Sequence, residues 1–181
     1  MTWGWEPMTL RSENSFEQKA AVLFVVLGVA LRLLPHPENF TPVTAIALFS
    51  GVTLSPLLAV TIPLIIMIAS DLLIGAHSLY WLTWGSFLAV TLLGLWIRRS
   101  AVPSRILFGT LAGSVFFFVA TNLGVFFFEG MYPKTWAGLV ECFTMAVPFF
   151  RNSLLGDLFY ASVLFSAFAG VKVFSKKFAL R

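Results

Sequence analysis

The feature that most constrains this chain is a succession of long apolar stretches, Leu57–Ile74, Leu79–Ile97 and Ile106–Phe128, with few polar residues between them. A helix needs about 20 mostly apolar residues to cross a bilayer. A fourth stretch, Ser153–Phe174, and an earlier one, Lys19–Leu34, are of similar character. A shorter piece, Val43–Leu54, is too brief to span comfortably. The first helix is predicted to stop before Pro35, because the residue preceding a proline disfavours helix. Six segments use nearly all of the 181 residues and predict an all-α bundle of six transmembrane helices. Composition agrees: 59% of the residues are hydrophobic and 11% charged, against about 25% charged in soluble domains.

The expected organisation is a cytoplasmic N-terminal segment at 1–18, a six-helix domain at 19–174 and a basic tail at 175–181. The connection from Glu129 to Asn152 is half apolar and reads as an outer loop with a short helix. The first 18 residues lack the basic start of a signal peptide, so the first apolar segment is expected to be retained. Orientation follows from the basic residues. Six crossings put Arg11, Lys19, Arg98, Arg99, Arg105, Lys172, Lys176, Lys177 and Arg181 on one side and Arg32, Lys134 and Arg151 on the other. Nine against three predicts cytoplasmic termini by the positive-inside rule, in the inner membrane of a cell. The net charge of +4 is thus a topology signal, and no nucleic-acid partner is expected.

The remaining polar residues gather on the opposite side, in four clusters. They are Arg32, His36, Glu38 and Asn39; Asp71, His77 and Ser78; Asn122, Glu129, Tyr132, Lys134, Trp136 and Glu141; and Arg151, Asn152 and Asp157. Ionisable groups at membrane depth are costly and are functional candidates by default. Each also has a plainer reading. Asp71 pairs with Arg32 or Arg151, or it is a ligand residue. Arg32 snorkels to the headgroups. His36 and His77 are solvated loop residues, Asp157 joins helices, and Trp136 belongs to an interfacial aromatic belt. The runs Phe116–Phe118 and Phe126–Phe128 face lipid or pack. Gly109-x-x-x-Gly113 permits close helix contact within the bundle. Zinc-protease, serine-hydrolase and phosphate-loop patterns are lacking, and so are the cysteines for a disulfide, Cys142 standing alone. No catalytic residue, enzyme activity or resident cofactor is expected.

Several stretches carry a resemblance: Leu34-Pro35-His36-Pro37-Glu38-Asn39-Phe40-Thr41-Pro42, Ser70-Asp71-Leu72-Leu73-Ile74-Gly75, His77-Ser78, Met131-Tyr132-Pro133-Lys134-Thr135-Trp136-Ala137-Gly138-Leu139, and Pro148-Phe149-Phe150-Arg151-Asn152-Ser153-Leu154-Leu155-Gly156-Asp157. They resemble a bacterial membrane family that is itself similar to the substrate-binding S-components of energy-coupling factor (ECF) transporters. The resemblance covers about residues 31–174. It implies a six-helix, S-component-like fold and a function as the substrate-binding subunit for uptake of a vitamin or related micronutrient. The ligand would sit on the outer side among Asp71, His77, Asn122, Arg151 and Asn152, with Arg32, His36, Lys134 and Trp136 nearby and the 129–152 connection as a lid. It also implies an ECF coupling subunit and two ATPases as partners. Helix one of S-components presents an Ala-x-x-x-Ala surface to that subunit, and Ala20–Gly28 does not repeat it, which leaves a solitary component open. For a corrinoid such as cobalamin, His77 would be the axial metal ligand, with His36 as competitor. The alternatives from other classes are a membrane enzyme acting on a lipid-linked substrate and a structural or assembly protein.

Overall fold

The structure, a computed structural model, describes residues 10–75 and 77–179. Among them the chain forms six α-helices and one 3-10 turn: α1 (Leu10–Leu33), α2 (Val43–Thr53), α3 (Pro56–Ile74), α4 (Tyr80–Ile97), the turn Arg98–Ser100, α5 (Pro103–Phe128) and α6 (Trp136–Ala179). Four stretches are long and apolar enough to cross a membrane, within α3, α4 with its turn, α5 and α6. The chain is an all-helical membrane protein.

Three helices begin or end where prolines dictate. Pro56 and Pro103 occupy the first turns of α3 and α5, where a missing N–H costs nothing. α1 ends at Leu33, one residue before the position that Pro35 restricts. At its other end α1 begins at Leu10, nine residues ahead of the expected start, so the 1–18 segment is helical from there on. The stretch Leu10–Lys19 is polar but holds no proline or glycine to stop a helix.

The larger departure is at the C-terminal end. The connection expected as a loop with a short helix between Glu129 and Asn152 is a loop only to Thr135. From Trp136 the chain is one helix of 44 residues, which continues through the expected tail as far as Ala179. Thr135 starts it: its Oγ1 accepts the backbone N–H of Gly138 at 3.2 Å, the bond an N-cap threonine makes. Pro148 lies inside the helix without ending it. A lid built from that connection does not exist in this fold.

The helices alternate in direction. Gly28 lies against Ile66 and Arg32 against Ser70 and Asp71, so α1 and α3 run parallel. Leu48 and Gly51 abut Gly94, and Arg98 reaches Gly51 and Leu54, so α2 runs with α4. Val90 meets Gly113 and Ile97 meets Gly109, which makes α5 antiparallel to α4. Both glycines of the Gly109-x-x-x-Gly113 pair face α2 and α4, so they serve internal packing.

α2 organises the bundle. It has 11 residues, about 16 Å at 1.5 Å per residue, or half a bilayer core. Every residue from Val43 to Val52 is buried, and α2 packs against α3, α4, α5 and α6. It meets α4 backbone to backbone: a Cβ on Gly94 would lie 2.5 Å from the Leu48 carbonyl oxygen, and one on Gly51 would lie 2.4 Å from that of Thr91. Small residues let backbones meet where lipid supplies no hydrophobic drive. Arg98 closes the far end of α2 from below, donating Nε and Nη2 to the Gly51 carbonyl at 3.0 and 2.6 Å, and Nη2 also to that of Leu54.

Candidate functional site

Depth along the bundle can be read from α5. Ser114 stands fourteen residues before its end at Phe128, about 21 Å at 1.5 Å per residue. There the first turn of α2 meets α6: Ser114 Oγ lies 2.6 Å from Asp157 Oδ2, and Thr44 also hydrogen-bonds that carboxyl. The half-length α2 therefore begins about midway along α5. Beyond that first turn, toward Phe128, α5 and α6 continue and face each other through Phe118, Phe143 and Phe150.

The loop from α1 crosses above α2. Asn39 takes the left-handed backbone conformation at φ 61°, which asparagine tolerates better than most residues. Phe40 then packs on Gly156, Phe159 and Tyr160 of α6. Beside Asn39, between α5 and α6, lies a cleft of about 130 Å³ lined by Phe117, Phe118, Thr121, Asn122, Ala146, Phe149, Phe150 and Ser153 as well. Its lining carries no charge. Asn122 gives its amide N–H to the Phe118 carbonyl at 2.7 Å, and its amide oxygen has no partner among the described residues. The Thr121 hydroxyl is donated to the Phe117 carbonyl, so Asn39, Asn122 and Ser153 are the groups left for a ligand.

The expected site residues do not share one pocket. Asp71, 4% exposed, is spoken for: its Oδ1 lies 3.0 Å from Arg32 Nη1, and its Oδ2 accepts the Trp84 indole N–H at 2.9 Å. Arg32 Nη1 also donates to Ser70 Oγ at 2.7 Å. The plainer reading of Asp71, a pair with Arg32, is the one the geometry forms, and Arg32 turns inward instead of toward headgroups. Lys134 donates to the Phe126 carbonyl and stands 4.9 Å over the Phe126 ring, so it closes the C-terminal turn of α5. Ser78 donates to Glu129, tying the turn before α4 to the end of α5. His36 and His77 are exposed, His36 Nδ1 lying 2.5 Å from the Leu34 carbonyl oxygen, and Trp136 is exposed at the start of α6. Arg151 is exposed and Asn152 half-buried, neither with a hydrogen bond or ion pair among the described residues. Of the expected set, only Asn122 lines the cleft.

Two kinds of lining residue escaped the sequence. Phe117 and Phe118 belong to a run that reads as facing lipid or packing, with nothing to mark a cleft wall; only Phe116 of the three is exposed. Asn39 stood in a cluster of loop residues with nothing to single it out; an asparagine between two prolines is the signal that could have marked a left-handed turn. The cluster of Asp157, Ser114 and Thr44 joins three helices, as expected of Asp157, but its two hydroxyl partners carried no sequence signal.

No curated protein and no solved structure gives a significant match to this chain. A family model does match, over residues 13–179. That covers nearly the whole length, and the chain belongs to DUF6580, a family of unknown function.

Proposed function

We propose that this protein is a substrate-binding membrane subunit for uptake of a small micronutrient, and that the cleft between α5 and α6 takes the ligand. The observation that carries this reading is the Asn122 amide oxygen, unpartnered within a cleft walled by four phenylalanines inside a membrane helix. Polar groups are placed at such depth at a cost and mark binding pathways. The lining recommends an uncharged molecule with an aromatic or apolar body and a hydrogen-bonding edge that two amides and a hydroxyl can read. A drug-sized ligand takes about 300 Å³ or more, so this cleft suits a small one better than a corrinoid. Exposed His77 and His36 also stand outside its lining. Nine cationic residues against three support cytoplasmic termini and six membrane-inserted helices, α2 among them as a half-length member. The cleft then opens in the outer half.

The test is mass spectrometry of small molecules retained by the detergent-purified protein, wild type against Asn122→Leu. A bound metabolite is expected in the wild type, with affinity falling at least about tenfold in the variant, since a lost hydrogen bond leaves a polar group unpaired. A wild type that retains only lipid and detergent, or a variant that retains the metabolite equally, refutes the assignment.

A further inference from the structure

Beneath the cleft lies a carboxyl group that the binding reading does not use. Asp157 is 2% exposed. Among the described residues the one ion pair is Arg32 with Asp71, so Asp157 has no cation. The charged groups on the elements around it are remote. α2 and α4 carry none; α5 carries Arg105, exposed in its first turn. α6 carries Arg151, six residues away and exposed, Glu141 further out, Lys172, Lys176 and Lys177 fifteen or more residues on toward its other end, and the half-buried Tyr160 phenol; the loop into α2 adds exposed Glu38. No backbone N–H in the first turn of α2 donates to the carboxyl. Its partners are two hydroxyls.

Those hydroxyls are themselves informative. Ser114 Oγ stands 2.9 Å from the Thr110 carbonyl and 2.6 Å from Asp157 Oδ2, both acceptors if the carboxyl is ionised. A serine has one hydrogen to donate. A neutral acid resolves the conflict: the Ser114 hydroxyl goes to Thr110, and the Asp157 O–H goes to Ser114. An isolated carboxylate in an apolar interior is very costly, whereas the acid form is not. A metal ion does not fit the spacing. Oxygens ligating calcium stand about 2.3–2.6 Å from the ion, which holds two of them further apart than 2.6 Å.

We infer that Asp157 is a proton-binding site, a neutral carboxylic acid whose O–H bridges α6 to Ser114 of α5 while Thr44 of α2 hydrogen-bonds the same group. The bound hydrogen joins α6 to α5, and the Thr44 hydroxyl ties α2 to the same group. The site forms the floor of the cleft. Ser153, a cleft residue, precedes Asp157 by one helical turn, and Phe40, next to Asn39, packs on Gly156. Removing the proton leaves an unpaired charge in this seam and loosens it, so the shape of the cleft is tied to proton occupancy. This holds whatever the cleft binds.

The chain has two aspartates, Asp71 and Asp157, which makes the site directly readable. The full chain is made by cell-free synthesis with carboxyl-13C aspartate, placed in liposomes at neutral pH, and its infrared spectrum recorded. One labelled carbonyl band of a protonated acid and one of a carboxylate are expected. Asp157→Asn should remove the acid band, and Asp71→Asn should leave it. Ser114→Ala should shift it, because the O–H loses its acceptor. Two carboxylate bands in the wild type, or an acid band that survives Asp157→Asn, overturn the inference. Should Asp157→Asn fail to accumulate, the Asp71→Asn spectrum decides alone, since Asp157 is then the one labelled carboxyl.

Discussion

Replacing Gly94 with alanine should destabilise the bundle, although alanine is the better helix former. The new Cβ would stand 2.5 Å from the Leu48 carbonyl oxygen and 3.0 Å from the Gly51 Cα, both backbone atoms of α2. A rotamer change cannot relieve either contact, so the helices must part by roughly 1 Å at their closest point, with loss of dispersion contacts along the seam. Overpacking of this kind costs about 1–3 kcal/mol, and the gain in helix propensity returns at most about 1 kcal/mol. The expected net loss is about 1–2 kcal/mol. Gly85, in the same helix, is the internal control: it is exposed, and a Cβ there meets nothing within 4 Å. Gly85→Ala should be neutral or slightly stabilising. Both variants are compared with wild type by thermal unfolding in one detergent, read by loss of the monodisperse chromatographic peak. If Gly94→Ala unfolds no earlier than Gly85→Ala, α2 does not lie against α4 as described, and the half-length helix loses its place.

Two further perturbations bear on the polar network. Asp71→Leu should cost about 3 kcal/mol, because it strands the Arg32 guanidinium, and the double variant Arg32→Met/Asp71→Leu should be less damaged than the sum of its singles; a double-mutant cycle in the same unfolding assay would refute the pairing by returning additive values. Arg98→Ala should cost about 1–3 kcal/mol by leaving the Gly51 and Leu54 carbonyls without their donor. Arg98→Lys should restore only part, since an ammonium lacks the planar fork, and full recovery would show that charge alone matters there.

The interior helices were legible because their cause is local. Runs of apolar residues gave α2 to α5 to within about three residues. α6 was not legible, for a definite reason. Glu141, Pro148, Arg151 and Asn152 together look like a loop, yet Glu141 and Arg151 are exposed and cost the helix little, and Pro148 removes only one hydrogen bond. The readable clue was Thr135, three residues before the Gly138 amide it caps. The site was less legible than the fold. Asp71 is consumed by Arg32 and Trp84, which lie on two other helices, and Asn122 gives its N–H to its own helix, so neither outcome shows in the residues beside them in sequence. One-sided clustering located the polar end of the molecule but could not divide it into ion pair, cap and cleft.

The length of α6 carries a mechanical consequence. Its 44 residues extend about 66 Å if straight, while the hydrocarbon core is about 30 Å thick and the whole bilayer about 40–45 Å. Tilt alone cannot absorb the difference, so the helix must emerge from the membrane. It is a stiff lever seated against α5 and α2 near Asp157. A tilt about that fulcrum swings Trp136 and the turns around Lys176 in opposite directions, with no loop between them to take up the motion. At Pro148 the missing N–H leaves the rod its most pliable joint, on the stretch that walls the cleft. A rearrangement at the Trp136 end would therefore be felt at the basic end, across the full thickness of the membrane.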